Sequence, residues 1–291
     1  MPQRRASMRI LTTASLLVLL AAGSAKPDIA VKEGEQIAFL GDSITRFGME
    51  PAGYVSLVIQ GLKSAGVHAR AIGAGFPGSR SDDMLERLQR DVIDRKPAWM
   101  VVSCGVNDVY HGANGVPLDA YRENMTRIVE RAQAAGIRVM ILTATMIGEF
   151  PGSANNQTLA AYNAFLRELA TSKQCLLADL NADMQRTLAE REKAGEKRGK
   201  LLTSSGAHMN PQGNMMMATG VLRAFGVDEA ALAKAKEAWL DIPGGARLAP
   251  SVPVTLRQLA ALEAVAARQG KSLQALLQPA LERDIADLLD Q

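Results

Sequence analysis

Four residues spread along the chain have the types that acyl transfer requires. Ser43 offers a hydroxyl nucleophile, and His208, one of only three histidines, offers an imidazole to take its proton. The backbone N–H groups of Ser43 and Gly78 and the side-chain amide of Asn107 are candidate donors to the oxyanion that such a reaction forms. These residues predict a serine-based acyl-transfer site with Ser43 and His208 as its catalytic pair.

The other two histidines are weaker candidates for a base. His68 begins a strand-like run and therefore falls at the far edge of the predicted sheet, whereas His111 follows the polar stretch around Asn107. Most isolated surface histidines have no catalytic role, and we expect none for either. No cluster of His, Cys, Asp or Glu has the spacing of metal ligands, so we predict neither a metal nor a cofactor.

The elements that must position these residues alternate in type along the chain. The strand-like apolar runs are QIAFLGDS, VHARAIGAG, AWMVVSCG, IRVMILTAT and CLLADL, and helix-like amphipathic runs separate them. Strict alternation predicts a five-stranded parallel sheet with right-handed crossovers and helices on both faces, a three-layer α/β/α fold. The carboxyl ends of parallel strands share one edge of the sheet. The polar stretches that contain Ser43, Gly78, Asn107 and His208 should converge there.

Four short motifs resemble, in order and spacing, the sequence blocks of the SGNH hydrolases, also called GDSL esterases and lipases. They are FLGDSIT, GAGFPGSRSDDML, GVND and HMNPQGN. The resemblance covers roughly residues 36–225 and implies a flavodoxin-like sheet and the same nucleophile, base and oxyanion donors. It also implies that Asp42 and Asp108 are structural, accepting hydrogen bonds from loop N–H groups and holding Ser43 and Asn107 in place.

The chain departs from this family three residues before its histidine. The family has Asp-x-x-His, whereas Ser205 occupies the aspartate position here. That carboxylate would hold the imidazole of His208 in its reactive tautomer. Three alternatives follow: a Ser–His dyad in which Ser205 Oγ or a backbone carbonyl accepts the Nδ1 proton, a carboxylate that reaches in from elsewhere, or a weakened relative that binds without turnover.

The resemblance also suggests a class of substrate. The stretch GVNDVYHG, with IGE after the fourth strand, resembles bacterial members linked to deacetylation of carbohydrates. No long apolar lid is visible, which favours a small acyl group such as acetyl. The expected function is hydrolysis of small acyl esters, with a small molecule or carbohydrate as substrate. The alternatives are a lysophospholipase or thioesterase, and a non-catalytic binding protein on the same scaffold.

The N-terminus has the features of a bacterial secretory signal peptide. Three arginines precede the apolar run ILTTASLLVLLAA, and small residues lead to a cleavage site after Ala25. We therefore predict a signal peptide over 1–25, export to the periplasm or the exterior, and no stable membrane insertion after cleavage. Without this segment the chain has 30 basic and 30 acidic residues, so no nucleic-acid surface is expected.

The C-terminal part differs in character from the rest. We predict a main domain over 30–227 and a helical extension over 228–291, in which an apolar stripe runs along a helix after Val254. The last forty residues resemble a ribbon-helix-helix unit, a DNA-binding dimer motif, but export argues against DNA. We expect these helices to pack on the main domain or to pair with another copy of the chain.

The two cysteines are expected to be free. Cys104 and Cys175 fall on the third and fifth strand-like runs, with another strand between them. Their Cα atoms would be about 10 Å apart, whereas a disulfide requires less than about 7 Å. We predict two buried free thiols.

Overall fold

A five-stranded parallel sheet forms the centre of the protein. The computed structural model describes residues 28–242 and 256–290. The strands are β1 Gln36–Gly41, β2 Arg70–Gly75, β3 Trp99–Ser103, β4 Arg138–Leu142 and β5 Leu176–Ala178, in the order β2-β1-β3-β4-β5. Every adjacent pair is parallel, and the order reverses at β1. The prediction of a flavodoxin-like parallel sheet is confirmed.

Helices follow the strands in the expected alternation. They are α1 Ser43–Gly48, α2 Tyr54–Ser64, α3 Ser81–Asp91, α4 Val106–Tyr110, α5 Leu118–Ala134, α6 Ala154–Ser172, α7 Leu180–Lys193, α8 Pro211–Ala224 and α9 Glu229–Leu240. Five of them begin after a side chain that accepts from their first turn: Asp42, Ser153, Asp179, Asn210 and Asp228. The two shortest, α1 and α4, directly follow the ends of β1 and β3.

The core lies on both faces of the sheet, which gives the predicted three layers. All five residues of β3 are buried, and so are the last five of β1, as expected for strands covered on both sides. Helices α3, α5 and α6 pack beside one another, and α2, α7, α8 and α9 form a second group. The loops that contain the polar residues lie at the carboxyl ends of the strands.

Two features of the main unit differ from the sequence-based expectation. A small antiparallel hairpin, β6 Thr203–Ser205 and β7 His208–Met209, precedes α8, where the sequence predicts only a polar turn. Over the described residues, 28–242 form one compact unit and 256–290 another, so the residues after 227 begin within the first unit. Helix α9 packs against α2 and buries Trp239, so it belongs to the first unit.

The second unit contains two helices, α10 Leu256–Arg268 and α11 Leu273–Leu289, which pack on each other. Apolar side chains of α11 are exposed at Leu281, Ile285, Leu288 and Leu289. Pairing with another copy of the chain stays a prediction. The predicted signal peptide, 1–25, lies outside the described residues and also stays a prediction.

The cysteines are both free, as expected, but they differ in burial. Cys104 follows β3 and is buried, and burial raises the pKa of its thiol well above the usual value. The prediction that Cys175 is buried is wrong, because it precedes β5 at the opposite edge of the sheet and is only partly covered.

Candidate active site

The hydroxyl of Ser43 and the imidazole of His208 are in contact at the carboxyl edge of the sheet. Ser43 is the first residue of α1, directly after β1, and His208 begins β7. The His208 Nε2 atom lies 2.9 Å from Ser43 Oγ. This distance is suitable for proton transfer from a hydroxyl to an imidazole. The fold thus brings together two residues that are 165 positions apart in the chain.

Asp42 fixes the turn that presents Ser43. One carboxylate oxygen accepts a hydrogen bond from the backbone N–H of Ile44 at 2.8 Å and so caps α1. The other oxygen accepts from Asn107 Nδ2 at 3.2 Å. Asp42 is only 2% exposed, and this burial raises the pKa of its carboxyl to about 6, with the nearby charge of Asp108 acting in the same direction.

The three proposed oxyanion donors differ in availability. Asn107 Nδ2 donates to Asp42 and, at 3.1 Å, to the backbone oxygen of Ser79, so both of its N–H groups already have acceptors. Gly78 has φ +78°, an added Cβ would find no atom within 4 Å, and its N–H makes no hydrogen bond to another described residue. The N–H of Ser43 is in the first turn of α1, where no intrahelical acceptor exists. Gly78 and Ser43 are therefore the freer donors, and Asn107 chiefly connects the loops.

Asp108 connects α4 to the start of α3. Its carboxylate accepts from the backbone N–H of Ser81 at 2.9 Å and faces Cys104 Sγ at 3.4 Å. Burial raises the pKa of Asp108, and the hydrogen bonds from Ser81 oppose that effect. Because the loop with Gly78 leads into α3, this contact sets the position of the loop relative to Asn107.

Arg87 is a structural part of the site that the sequence did not indicate. Its guanidinium reaches from α3 to the ends of two strands and donates to the backbone oxygens of Gly41 and Ala74, each at 2.7 Å. It also donates to Asp91 at 3.0 Å. Arg87 thereby joins β1 to β2 immediately before Ser43. An i,i+4 Arg–Asp pair is common on exposed helices, so the sequence contains no signal for this bridging role.

The second nitrogen of His208 has no carboxylate partner among the described residues. The ring packs edge-on against Phe47, with 5.4 Å between centroids, and Nε2 faces Ser43. Ser205 pairs with His208 across the hairpin but is exposed, and its hydroxyl makes no hydrogen bond to the ring. Of the three alternatives, neither a Ser205 contact nor an incoming carboxylate is present in this conformation.

The remaining histidines lie apart from this pair. His68 precedes β2, and its Nδ1 is 3.1 Å from Glu33 Oε1 on the surface. The ring of His111 packs on Tyr110, with 5.8 Å between centroids.

A buried glutamate, Glu149, lies in the loop after β4 and ends the stretch IGE, for which the sequence indicates a class of substrate but no role in the site. It is 1% exposed, and its carboxylate accepts hydrogen bonds from the backbone of the segment 199–203. This segment leads into the hairpin that contains His208.

Exposed aromatic side chains follow the carboxyl ends of four strands, the edge at which the Ser43–His208 pair lies. Over the described residues 28–242, the exposed large hydrophobic residues are Phe47, Phe76, Tyr110, Phe150 and Leu240. The four aromatic ones follow β1, β2, β3 and β4 in turn, and the N–H of Phe76 binds the backbone oxygen of Gly41 at 3.0 Å. Exposed apolar patches on otherwise polar surfaces commonly bind ligands. Phe47, which is exposed and packs against His208, can therefore contact a flat or apolar group next to the serine.

Residues 28–242 and 256–290 contain neither a metal-binding cluster nor a membrane span. No group of three or more His, Cys, Asp and Glu side chains there could hold a metal ion. None of the helices described is long and apolar enough to cross a membrane.

A family model and several known proteins match the part of the chain that forms this site. The model of the GDSL-like lipase/acylhydrolase family matches residues 39–216. An acetylxylan esterase of Geobacillus stearothermophilus is 24% identical over 218 residues, which cover 68% of this chain and 97% of that esterase. The uncharacterized lipoprotein YqeF of Bacillus subtilis is 26% identical over 172 residues, 52% of this chain and 71% of the lipoprotein.

Solved structures show the same similarity. The crystal structure of the acetyl xylan esterase AlAXEase superposes with a TM-score of 0.61 and 30% sequence identity, covering 65% of this chain and 98% of that one. All four residues predicted for catalysis and oxyanion binding fall within the range that the family model matches.

Proposed function

The chain belongs to the GDSL-like lipase/acylhydrolase family, the SGNH hydrolases, and is an ester hydrolase; we propose that it removes small acyl groups, acetyl in particular, from carbohydrates through an acyl-enzyme on Ser43. The 2.9 Å contact between Ser43 Oγ and His208 Nε2 is the observation that carries this proposal. It supplies a nucleophile with its base at one edge of the sheet.

The proposed reaction proceeds in two acyl transfers. Ser43 Oγ attacks the carbonyl carbon of the ester while His208 Nε2 takes the hydroxyl proton. The negative charge on the carbonyl oxygen is stabilised by the N–H groups of Ser43 and Gly78, with Asn107 able to contribute if one of its present bonds exchanges. His208 then gives the proton to the departing alcohol. Water, deprotonated by His208, attacks the acyl-enzyme and releases the acid and free Ser43.

No carboxylate of the described residues binds His208 Nδ1, which indicates a slow enzyme. In a Ser–His–Asp triad, replacing the aspartate by asparagine lowers kcat about 10⁴-fold, because the imidazole loses its tautomer control. Among the described residues, the ring itself contacts Ser43 and Phe47, and the hairpin carries it. We propose a working dyad whose turnover is below that of relatives with the aspartate.

Two observations support a carbohydrate ester as substrate. The exposed aromatic side chains of Phe47, Phe76, Tyr110 and Phe150 follow the carboxyl ends of four strands, Phe47 packs against His208, and such rings can pack on the apolar faces of sugars. Two of the similar proteins are acetylxylan esterases. A small acyl group would occupy the space beside Gly78, and the aromatic side chains would hold the alcohol part.

Hydrolysis of p-nitrophenyl acetate by wild type, Ser43→Ala and His208→Ala tests the chemistry. Both variants should lose nearly all activity, and Ser43→Ala should also lose labelling by a fluorophosphonate. His111→Ala is the matched control, because this imidazole makes no contact with Ser43, and it should keep wild-type rates. Equal rates for Ser43→Ala and wild type would refute the proposal, and a wild type that resists labelling would favour the non-catalytic binding alternative.

The substrate class is tested with acetylated xylo-oligosaccharides and p-nitrophenyl acetate on Phe76→Ala. We expect KM for the oligosaccharide to rise on the order of 10-fold, as for loss of one stacking contact of about 1.4 kcal/mol, with little change for the small ester. Leu240→Ala removes an exposed apolar side chain away from the site and should change neither. A preference for octanoyl over acetyl p-nitrophenyl esters would instead indicate a lysophospholipase or thioesterase.

Export is part of the same proposal. The predicted signal peptide and the lipoprotein relative support it. Mass spectrometry of the mature protein from a bacterial host should find an N-terminus after Ala25; an N-terminus that retains residues 1–25 would contradict it.

A further inference from the structure

The hairpin that contains His208 has little to hold it in place by itself. Strand β6 has three residues and β7 two, and Ser204, Ser205 and Gly206 at its tip are all exposed. A two-stranded hairpin of this size is not stable in isolation. A dyad without a carboxylate on His208 Nδ1 nevertheless needs the imidazole at a defined place. Contacts from outside the hairpin must therefore set its position.

The carboxylate of Glu149 makes the most extensive of these contacts. Its Oε2 atom accepts hydrogen bonds from the backbone N–H groups of Gly199 at 2.8 Å and Leu201 at 3.0 Å. Its Oε1 atom accepts from the backbone of Leu202 at 2.7 Å and of Thr203 at 2.8 Å, and from Thr203 Oγ1 at 3.1 Å. Five donors from one segment thus converge on one buried carboxylate.

These donors also explain how a charge is tolerated there. Burial by itself would raise the pKa of Glu149, but the four backbone N–H groups more than offset this effect, and the pKa lies below its usual value. The carboxylate forms no ion pair with a described side chain; the guanidinium of Arg198 binds the backbone oxygen of Glu149 instead, at 2.8 Å. Glu149 is therefore ionised at neutral pH, with its charge directed to the backbone of 199–203.

The loop around Glu149 is itself connected both to the turn of the hairpin and to helix α6. The N–H of Gly148 binds the backbone oxygen of Gly206 at 3.0 Å, at the tip of the hairpin. On the other side, the amide of Asn156 in α6 exchanges two hydrogen bonds with Ile147, at 2.9 and 3.0 Å. A continuous set of hydrogen bonds thus runs from α6 through the loop to β6 and the turn that precede His208.

We infer that Glu149 is a positioning residue for His208: it fixes the hairpin against the loop after β4 and so keeps Nε2 in reach of Ser43. The role is indirect, because the Glu149 carboxylate touches neither the imidazole nor the serine. It offers this chain a way to place its base without the aspartate that Ser205 replaces. The inference rests on the proposed function, in which His208 is the base.

The test replaces Glu149 with glutamine and compares two acetyl esters with different leaving groups. The side-chain amide of the Glu149→Gln variant would direct its own N–H groups at backbone N–H groups, so at least two of the present hydrogen bonds are lost. Nitrophenolate leaves without a proton, whereas the ethanol of ethyl acetate must receive one from His208. If Glu149 acts through His208, Glu149→Gln should lower kcat/KM on the order of 10²-fold for p-nitrophenyl acetate and about a further 10-fold for ethyl acetate.

A merely structural role predicts a different result. Loss of folded protein would lower both rates by the same factor, and the ratio between the two esters would stay at the wild-type value. Asp228→Ala is the matched control: it removes the cap of α9, which accepts from Ala231 at 2.7 Å, and should lower Tm without changing this ratio. An unchanged ratio in folded Glu149→Gln would overturn the inference.

Thr203→Val answers the same question if Glu149→Gln does not fold. It removes only the hydroxyl that donates to Glu149, in a side chain of the same shape. The ratio should shift in the same direction by a smaller factor, and an unshifted ratio would again overturn the inference. Failure of the proposed function is distinguished by Ser43→Ala, which would then be as active as wild type.

Discussion

Replacing Gly75 with alanine should displace the proposed nucleophile, Ser43, without touching it. Gly75 ends β2 beside Gly41, and a Cβ built there would lie 2.4 Å from the backbone nitrogen of Arg46 and 2.8 Å from the carbonyl carbon of Thr45. These are backbone atoms of α1 and cannot turn aside as a side chain could. The helix that begins with Ser43 must therefore move away from β2.

The size of the movement follows from the contact distances. Comfortable Cβ contacts begin near 3.4 Å, so the backbone of α1 must shift by about 1 Å. The Ser43–His208 hydrogen bond, now 2.9 Å, would then exceed the useful range of about 3.2 Å if the shift is along it. A displacement of 1 Å at a catalytic group can cost about 10²-fold in rate. Overpacking should also lower the free energy of unfolding by about 1–3 kcal/mol.

The assay is kcat/KM for p-nitrophenyl acetate, together with Tm to confirm that the variant is folded. Gly73→Ala is the matched control, because Gly73 lies two residues earlier on the same face of β2 and its Cβ would meet only the side chain of Met49, at 3.4 Å. We expect a loss on the order of 10²-fold for Gly75→Ala and little change for Gly73→Ala. Equal activity of the two folded variants would refute the reasoning.

Three further predictions concern the surroundings of the dyad. Ser205→Asp restores a carboxylate opposite His208 in the hairpin and should raise kcat on the order of 10²-fold or more. An unchanged kcat would mean that the hydrogen bonding of His208 Nδ1 does not limit turnover. The pKa of Asp42 is raised from 3.8 to about 6, so its contribution to stability is fully present below pH 3.8 and is lost as the pH rises through 6. In urea titrations, the free energy of unfolding should therefore fall by about 3 kcal/mol less for Asp42→Asn than for wild type between pH 3.5 and 7.5. Parallel pH profiles of the two proteins would contradict this assignment. Arg87→Lys leaves one of the two carbonyl groups at the strand ends, Gly41 or Ala74, without its donor. The free energy of unfolding, measured by the same titrations, should fall by about 1–3 kcal/mol. Wild-type stability would show that the guanidinium does not stabilise the strand ends.

The fold and the four residues of the predicted site follow from local features of the sequence. The alternation of apolar runs with amphipathic ones predicts parallel strands, and polar residues directly after such strands must meet at one edge. Ser43, Gly78 and Asn107 come after β1, β2 and β3 for this reason, and His208 is recognisable from the motif around it. The hairpin of Thr203–Met209 escaped prediction because it has too few residues to show a period of two.

The sequence by itself determined which residues could do the chemistry, because hydroxyl, imidazole and amide groups are visible as residue types. Tertiary structure alone decided what holds them. Arg87 and Glu149 act on backbone carbonyl and N–H groups that nearly every residue has, in segments 13 to 54 positions away. The residue type of the partner therefore gives no indication that its backbone group makes such a hydrogen bond. The stretch around His208 therefore reveals the missing aspartate, whereas the buried carboxylate of Glu149 that anchors it becomes visible only when the chain is folded.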